Sequence, residues 1–333
     1  MKRAWWRDRP VLVTGMTGFV GSAMAARLVG AGARVVGLVR DDVAASHGTW
    51  RAFADRVTVV YGDLECGALL ERTINEYAIQ VVYHLGAQTI VGTANRSPRS
   101  TLKANIEGTW NVLEACRGKP HVRAVVVASS DKAYGVHRTL PYREEFPLQP
   151  LYPYDVSKAC ADLLAQCYYH TYHLPVVVTR CANIYGPGDL NVSRIVPETI
   201  RSVLQGQRPI IRSDGTPERD YLYVDDAVDL YLLLAEQIEK TRGEVFNAGQ
   251  GQPISVRRLV QTILRLAHAQ HVRPEVQGTG RLPGEIVRQW LDSRKVQRVV
   301  GWAPKVSLET GLRKTIAWHR RVLAQDARRQ AGS

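Results

Sequence analysis

Long apolar runs and cysteines are the features that this sequence has least of. No apolar run approaches the ~20 residues that a membrane-spanning helix needs, and the N-terminal residues carry charge without the apolar stretch of a secretory signal. The five cysteines are odd in number and show no metal-ligand spacing, which argues against a disulfide framework and against a metal site. We therefore expect a cytoplasmic protein with reduced thiols, no membrane partner and no metal.

Acidic residues are in the minority. The 44 Lys and Arg residues against 31 Asp and Glu give a net charge of +13. A surplus of this size can indicate nucleic-acid binding, but here it is spread along the whole chain, and no basic stripe interleaved with aromatic residues stands out. We predict no nucleic-acid partner, and a surface field that favours anionic small substrates.

Apolar segments of strand length alternate with segments of helix length in the first half of the chain. The predicted strands span residues 11–13, 34–39, 57–61, 81–85, 124–128 and 175–179. Continuous apolar strands that alternate with helices predict an α/β fold with a doubly wound parallel sheet.

The pattern loosens after Gly186-Pro187-Gly188 and returns at 222–236 and 243–247. This indicates a sheet domain interleaved with a smaller C-terminal α/β lobe. We assign residues 1–185 and 222–250 to a dinucleotide-binding domain and residues 186–221 and 251–320 to a substrate lobe, and we expect residues 321–333 to be frayed.

A glycine-rich segment joins the first predicted strand to the first predicted helix. Gly15 permits a tight turn, Gly18 lets the backbone approach a pyrophosphate, and Gly21 lets the helix pack closely on the sheet. The helix N-terminus then offers free N–H groups to the phosphates. The predicted cradle consists of Gly15, Thr17, Gly18, Phe19, Val20 and Gly21.

A tyrosine and a lysine four residues apart, Tyr154 and Lys158, share one face of a predicted helix. They follow a predicted strand that leads into Ser129 and Ser130. A free tyrosine titrates near ~10, and a neighbouring ammonium group lowers that pKa toward a value useful for a base. The pattern predicts proton transfer by Tyr154 assisted by Lys158.

This motif, together with the two residues that separate Gly15 from Gly18, resembles the extended short-chain dehydrogenase/reductase family, and the resemblance covers nearly the whole chain. It implies a Rossmann fold, a bound nicotinamide dinucleotide, and a homodimer formed by helices near 102–116 and 153–172. The cofactor contacts that it adds to the glycine-rich cradle are Asp63, Leu64, Leu85, Ala87, Tyr154 and Lys158.

The identity of the dinucleotide depends on the end of the second predicted strand. A carboxylate there would hold the ribose hydroxyls of NAD, and a basic group would suit the 2′-phosphate of NADP. Val39 occupies the position where the carboxylate is expected, and Arg40 follows it. We expect NAD or NADP, with NADP favoured by Arg40, although Asp41 or Asp42 could reverse that preference.

The residues after Ser130 distinguish the activities within the family. The resemblance implies that Ser130 and Tyr154 act at the sugar 4-hydroxyl, as in any member that works on nucleotide sugars. The following pair, Asp131 and Lys132, resembles the CDP-glucose 4,6-dehydratases. In such enzymes oxidation at C4 precedes loss of water across C5 and C6 and return of hydride to C6. Asp131 would then be the acid, and Lys132 either the C5 base or an orienting group.

The resemblance also implies contacts with the nucleotide diphosphate and the sugar. The predicted substrate-binding residues are Gln88, Ser130, Asn183, Arg194, Arg219, Arg281 and Glu285. The segment from Arg281 to Glu285 resembles the GDP-mannose 4,6-dehydratases, so the nucleotide stays open between CDP-glucose and GDP-mannose. A 4-epimerase is the alternative activity, and an NAD(P)-sensing protein without enzyme activity is a further one.

Overall fold

The computed structural model describes residues 2–41, 49–278 and 286–331. The strands, numbered in chain order, are β1 Pro10–Thr14, β2 Arg34–Val39, β3 Val57–Tyr61, β4 Val81–His84, β5 Ala124–Ala128, β6 Val176–Cys181, β7 Asn183–Tyr185, β8 Ile210–Ile211, β9 Glu218–Arg219, β10 Tyr221–Tyr223, β11 Val245–Ala248, β12 Ile254–Ser255, β13 Glu275–Val276 and β14 Arg288–Gln289.

The α-helices, numbered in the same way, are α1 Arg3–Trp6, α2 Phe19–Gly30, α3 Gly67–Glu76, α4 Val91–Arg96, α5 Pro98–Leu102, α6 Gly108–Cys116, α7 Pro153–Tyr172, α8 Ile195–Leu204, α9 Val224–Glu236, α10 Ile238–Thr241, α11 Val256–Leu266, α12 Arg294–Val300 and α13 Leu308–Ala331. Short 3-10 segments span Thr49–Arg56 and Asp131–Tyr134, and Lys103–Glu107 forms a π-helical turn.

One parallel sheet contains β1 to β6 together with β11. Its strand order is β11-β6-β5-β4-β1-β2-β3, so the chain reverses its direction of travel across the sheet between β1 and β4. The short strands form three smaller sheets, in which β7 pairs with β10, β8 with β13, and β9 with both β12 and β14. In an open α/β sheet a ligand binds beside the carboxyl ends of the strands at such a reversal.

Helices cover both faces of the main sheet because successive strand residues point to opposite sides. Val11 and Val13 of β1 belong to the core that α2 and α9 close. Leu12 belongs to a second core, which α3, α6 and α7 close on the other face. The predicted α/β fold with a doubly wound parallel sheet is confirmed.

Helix α9 has Tyr223 as its N-cap and carries Asp225 in its first turn. Helix α13 continues to Ala331, so the described part of the segment that we expected to be frayed is helical. The residue boundaries of the two lobes stay a prediction. Among the described residues, no helix is long and apolar enough to cross a membrane.

Candidate functional site

The glycine-rich segment forms a tight turn between β1 and α2. Gly15 has φ +67°, which side chains rarely adopt, and its carbonyl accepts a hydrogen bond from the Gly18 amide at 2.9 Å. A Cβ atom at Gly21 would lie 2.0 Å from the Gly15 carbonyl oxygen. Gly18 is the N-cap of α2, so the open helix N-terminus faces the space beyond the turn.

A buried threonine and a histidine join this turn to the end of β4. The Thr14 hydroxyl oxygen accepts hydrogen bonds from the amides of Leu85 and Gly86 at 3.1 and 3.0 Å. It lies 2.9 Å from Nδ1 of His84. Because both amides are donors, the Thr14 proton goes to His84, whose Nδ1 is therefore an acceptor.

The other nitrogen of His84 is assigned by the same argument. His84 Nε2 lies 2.9 Å from the Thr109 hydroxyl oxygen, and that hydroxyl donates to the carbonyl of Asn105 at 2.6 Å. Nε2 therefore carries the proton and donates it to Thr109. Burial, with a smaller effect of Lys158, lowers the pKa of His84 to about 3. The imidazole is a neutral strut under the cofactor turn rather than an acid or a base.

A cavity of about 360 Å³ opens beyond the turn. It is lined by Thr17, Gly18, Phe19, Ser22, Arg40, Ala87, Gln88, Thr89, Ile90 and residues 188–191 with Arg194. Arg40 is exposed at the rim and forms an ion pair with Asp41 at 2.6 Å. The cradle geometry, the helix N-terminus and this cavity fit a dinucleotide.

Three further predicted cofactor residues lie at the same edge of the sheet. Asp63 and Leu64 follow β3 after one residue, Gly62, and Leu85 directly follows β4. The Asp63 carboxylate accepts a hydrogen bond from the Glu65 amide at 3.0 Å, so one carboxylate oxygen is already bonded within the turn that contains Asp63. Asp42 lies outside the described residues, as do Arg281 and Glu285.

The turn after β5 presents Ser130, Asp131 and Lys132. Ser130 is the N-cap of the 3-10 segment, and its hydroxyl accepts a hydrogen bond from the Lys132 amide at 3.2 Å and donates to Asp131 Oδ1 at 3.1 Å. Asp131 is 2% exposed, and its Oδ2 has no hydrogen-bond partner in the described part of the chain. Burial raises the pKa of Asp131 to about 6, against the effect of Lys132. A carboxyl with this pKa can donate a proton near neutral pH.

Helix α7 presents Tyr154 and Lys158 from its first two turns, and both side chains are buried. Lys158 Nζ donates to the carbonyl of Ala128 at 2.8 Å, and burial lowers the pKa of Lys158 to about 8. Burial raises the pKa of Tyr154 to about 12, while the charge of Arg194 and a hydrogen bond with Ser130 act in the opposite direction. We expected Lys158 to lower the pKa of Tyr154. In the protein without a cofactor that pKa is instead raised, because burial has the largest effect.

Asn105 holds Gln88 and the start of α7 together, and we did not predict it from the sequence. Its Oδ1 accepts from the Gln88 amide at 2.7 Å, and its Nδ2 donates to the Gln88 carbonyl at 3.0 Å and to the Ser157 hydroxyl at 2.8 Å. Ser157 in turn donates to the carbonyl of Tyr154 at 2.7 Å. The turn that contains it, Lys103–Glu107, has a charged residue at each end and no local signal that identifies these partners.

Three of the substrate-binding candidates, Arg194, Arg219 and Asn183, have their side chains bonded within the protein. Arg194 donates to Asp189 and to Thr89 at 3.1 and 3.2 Å, across the cavity. Arg219 in β9 donates to the carbonyl of Glu218 at 2.8 Å, and its charge acts on the pKa of Asp131.

Asn183 in β7 donates through its Nδ2 to the carbonyl of Asp220 at 3.3 Å. Within the described residues, no group of three His, Cys, Asp or Glu side chains could hold a metal ion.

Comparison with known proteins gives a consistent family. The profile of the family described as GDP-mannose 4,6 dehydratase matches residues 12–315. The chain is 32% identical over 330 residues to a dTDP-glucose 4,6-dehydratase of Xanthomonas campestris, covering 92% of each protein. It is also 32% identical over 317 residues to a UDP-glucose 4-epimerase of Mycolicibacterium smegmatis, covering 93% of this chain and 98% of the relative.

Similar solved structures come from the same two kinds of enzyme, dehydratases and epimerases. The crystal structure of the Thermotoga maritima UDP-glucose 4-epimerase with UDP-glucose has a TM-score of 0.86 at 30% identity, and covers 94% of this chain and 99% of that one. The dTDP-glucose 4,6-dehydratase of Bacillus anthracis in complex with NAD has a TM-score of 0.83 at 29% identity, and covers 94% and 97%. The chain therefore belongs to the GDP-mannose 4,6-dehydratase family of extended short-chain dehydrogenases/reductases, and it is an enzyme of the nucleotide-sugar dehydratase and epimerase group.

Proposed function

We propose that this enzyme is a nucleotide-sugar 4,6-dehydratase that converts a nucleoside diphosphohexose to the 4-keto-6-deoxy sugar. The observation that carries the proposal is the buried Asp131, whose pKa is raised to about 6 and whose Oδ2 has no partner among the described residues. A 4-epimerase only oxidises and reduces C4 and needs no second acid. A dehydratase must also protonate a leaving hydroxyl, and Asp131 supplies that proton.

The first half of the reaction uses Ser130, Tyr154 and Lys158. Tyr154 removes the proton of the sugar 4-hydroxyl, and Ser130 shares that proton through its hydrogen bond with the phenol. The glycine-rich cradle would hold the nicotinamide dinucleotide, which would supply the acceptor for the C4 hydride and its donor to C6. Lys158 places a buried ammonium group on the same face of α7 as Tyr154. We propose that this group donates a hydrogen bond to the ribose of the dinucleotide.

The second half uses Asp131 and Lys132. Oxidation at C4 makes the C5 proton acidic, so that a base removes it as the C6 hydroxyl departs, and C5 takes up a proton again when hydride returns to C6. Asp131 donates its proton to the C6 hydroxyl, which leaves as water. Lys132 is half-buried beside Asp131, and we assign it to the C5 position, either as the base or as the group that orients the base.

The test is product analysis by NMR in D₂O with purified enzyme, NAD or NADP, and CDP-glucose, GDP-mannose, dTDP-glucose or UDP-glucose. We expect a 4-keto-6-deoxy product with deuterium at C5 from one of these substrates. Tyr154→Phe should abolish it, whereas the matched change Tyr172→Phe, at an exposed site on the same helix, should not. A C4 epimer with the C6 hydroxyl retained would replace this proposal by a 4-epimerase, which the Mycolicibacterium and Thermotoga relatives favour.

The nucleotide and the cofactor preference are parts of the same proposal. Asp131 with Lys132 supports CDP-glucose, the family profile supports GDP-mannose, and dTDP-glucose is the substrate named for several relatives. We propose NADP over NAD because Arg40 lies at the rim of the cavity. Arg40→Gln should then weaken NADP binding by about tenfold and leave NAD binding unchanged in a calorimetric titration. Equal effects on both would contradict this preference.

We also propose that the enzyme forms a homodimer through α6 and α7. Trp110 of α6 and Leu163 of α7 are 53% and 56% exposed on two helices that contact each other, and a second copy can cover exposed apolar side chains of this kind. Leu163→Asp should give a monomer in sedimentation velocity, whereas Leu151→Asp, at a site 77% exposed outside these helices, should not. A monomeric wild-type protein would contradict the proposal.

A further inference from the structure

A buried ion pair lies outside the set of residues that the reaction uses directly. Asp162 of α7 and Arg180 of β6 have side chains 0% and 4% exposed. Two parallel hydrogen bonds join them, Arg180 Nε to Asp162 Oδ2 at 2.8 Å and Arg180 Nη2 to Asp162 Oδ1 at 3.0 Å. Removing two charges from water is costly, so a buried pair is weak support for stability by itself. Stability alone therefore does not explain why this ion pair is buried.

The remaining nitrogen of the same guanidinium contacts the turn that carries the acid. Arg180 Nη1 donates to the Tyr134 hydroxyl at 2.9 Å, and the guanidinium carbon lies 4.7 Å from the centre of the Tyr134 ring. Tyr134 donates onward to Asn247 Oδ1 at 2.8 Å. Tyr134 is the last residue of the 3-10 turn that begins at Asp131. One guanidinium is thus bonded both to α7 and to this turn.

The two ends of this connection carry the two halves of the reaction. Asp162 lies four residues after Lys158 and eight after Tyr154, so all three occupy one buried face of α7. On the other side, Tyr134 closes the turn that carries Asp131. A shift of Arg180 would change the distance between the tyrosine base and the carboxyl acid.

We propose that Arg180, held by Asp162 and Tyr134, is a positioning residue that fixes the spacing between the Tyr154–Lys158 pair and the Asp131–Lys132 pair, and thereby couples oxidation at C4 to the elimination of water. This inference rests on the proposed dehydratase function. Two contacts of the oxidation step do not pass through the connection: Lys158 is also held by the Ala128 carbonyl. Ser130 begins the turn next to Ser129, whose amide donates to the Thr179 carbonyl at 2.8 Å. Elimination depends on where the turn places Asp131, so it is the step that slows.

The most direct perturbation is Tyr134→Phe, which removes the hydroxyl that receives the Arg180 bond and keeps the ring and the ion pair. The matched control is Tyr83→Phe, which removes a buried hydroxyl that donates to the Tyr231 carbonyl at 3.3 Å, away from the turn. We expect Tyr134→Phe to lower kcat by about tenfold or more, since small displacements of reacting groups have large effects on rate. KM should change by less than about twofold, because the groups proposed to bind substrate are retained.

Two readouts separate positioning from general destabilisation. In a single turnover, the absorbance of reduced nicotinamide should persist in Tyr134→Phe and decay quickly in wild type and in Tyr83→Phe. Without cofactor or substrate, the amides of residues 132–135 should exchange hydrogen faster in Tyr134→Phe than its loss of global stability explains, a loss that we expect because Asn247 Oδ1 loses its donor. Arg180→Lys, which keeps a positive charge opposite Asp162 but cannot make the four hydrogen bonds of the guanidinium, should behave like Tyr134→Phe.

Three results would overturn the inference: wild-type kcat in Tyr134→Phe, oxidation and elimination slowed to the same extent, or unchanged hydrogen exchange in the turn. A wild-type enzyme that yields no 4-keto-6-deoxy product contradicts the proposed function instead. The hydrogen-exchange comparison then still decides whether Arg180 holds the turn.

Discussion

Replacing the acid of the proposed elimination should make the protein more stable while it abolishes turnover. Asp131→Asn keeps the size of the side chain and an oxygen that can accept from the Ser130 hydroxyl. It removes a carboxylate that is 2% exposed and has one unpartnered oxygen among the described residues. Burial is the largest cause of its raised pKa, so the ionised form destabilises the folded state.

The expected gain in the free energy of unfolding follows from the pKa shift of Asp131. The pKa of Asp131 rises from 3.8 to about 6. Two units correspond to about 3 kcal/mol of folding free energy. Because the pKa of this carboxyl is raised in the folded state, its ionisation lowers the free energy of unfolding. This loss of stability is absent below about pH 4, grows as the pH rises toward 6, and is complete above pH 6. Asp131→Asn should therefore match wild type near pH 4 and exceed it by up to about 3 kcal/mol at pH 7.

The assay is urea unfolding of both proteins at a series of pH values, without cofactor or substrate. The matched control is Asp229→Asn, which removes a carboxylate that is 32% exposed and paired with Arg27. That change should alter stability by less than about 1 kcal/mol. An Asp131→Asn protein that is no more stable than wild type at pH 7 would refute the reasoning, because the carboxylate would then be well accommodated in its ionised form.

Two further predictions concern binding. Gly21→Ala should lower dinucleotide affinity by about hundredfold in a fluorescence titration, because its Cβ would meet the Gly15 carbonyl; Gly30→Ala in the same helix has open space and should leave affinity intact. Arg219→Lys should raise KM for the nucleotide sugar by about tenfold with kcat little changed, since a lysine cannot replace a forked contact with a diphosphate. A normal KM in that variant would remove Arg219 from the substrate site.

Much of the fold could be predicted because its information is local. The apolar runs that become β1 to β6 are continuous, and the glycines at 15, 18 and 21 are spaced for one particular turn. The pair Tyr154 and Lys158 is also local, since four residues on a helix make one face. Periodicity and turn chemistry are properties of neighbouring residues, and the sequence displays them directly.

The supporting contacts could not be predicted because they join residues that are distant in the chain. Asn105 and Ser157 are 52 residues apart, and Thr14 and His84 are 70 apart. The direction of the Tyr154 pKa was mispredicted for the same reason: the tertiary fold buries the phenol and raises its pKa, and the charge of Arg194, forty positions away, only opposes that rise. Sequence spacing identifies the reacting groups, but the tertiary fold decides which charges surround them.

The order of strands has a consequence for synthesis on the ribosome. Strand β11 completes the edge of the main sheet beside β6, and α9 covers α2, to which Arg27 and Asp229 join it at 2.7 Å. Both elements are translated only after the chain has passed through β8 and β9. Until residue 248 has emerged, β6 presents an unpaired edge and the α2 side of the sheet keeps apolar surface in contact with water. The nascent chain must therefore remain protected from aggregation until most of the protein has been made.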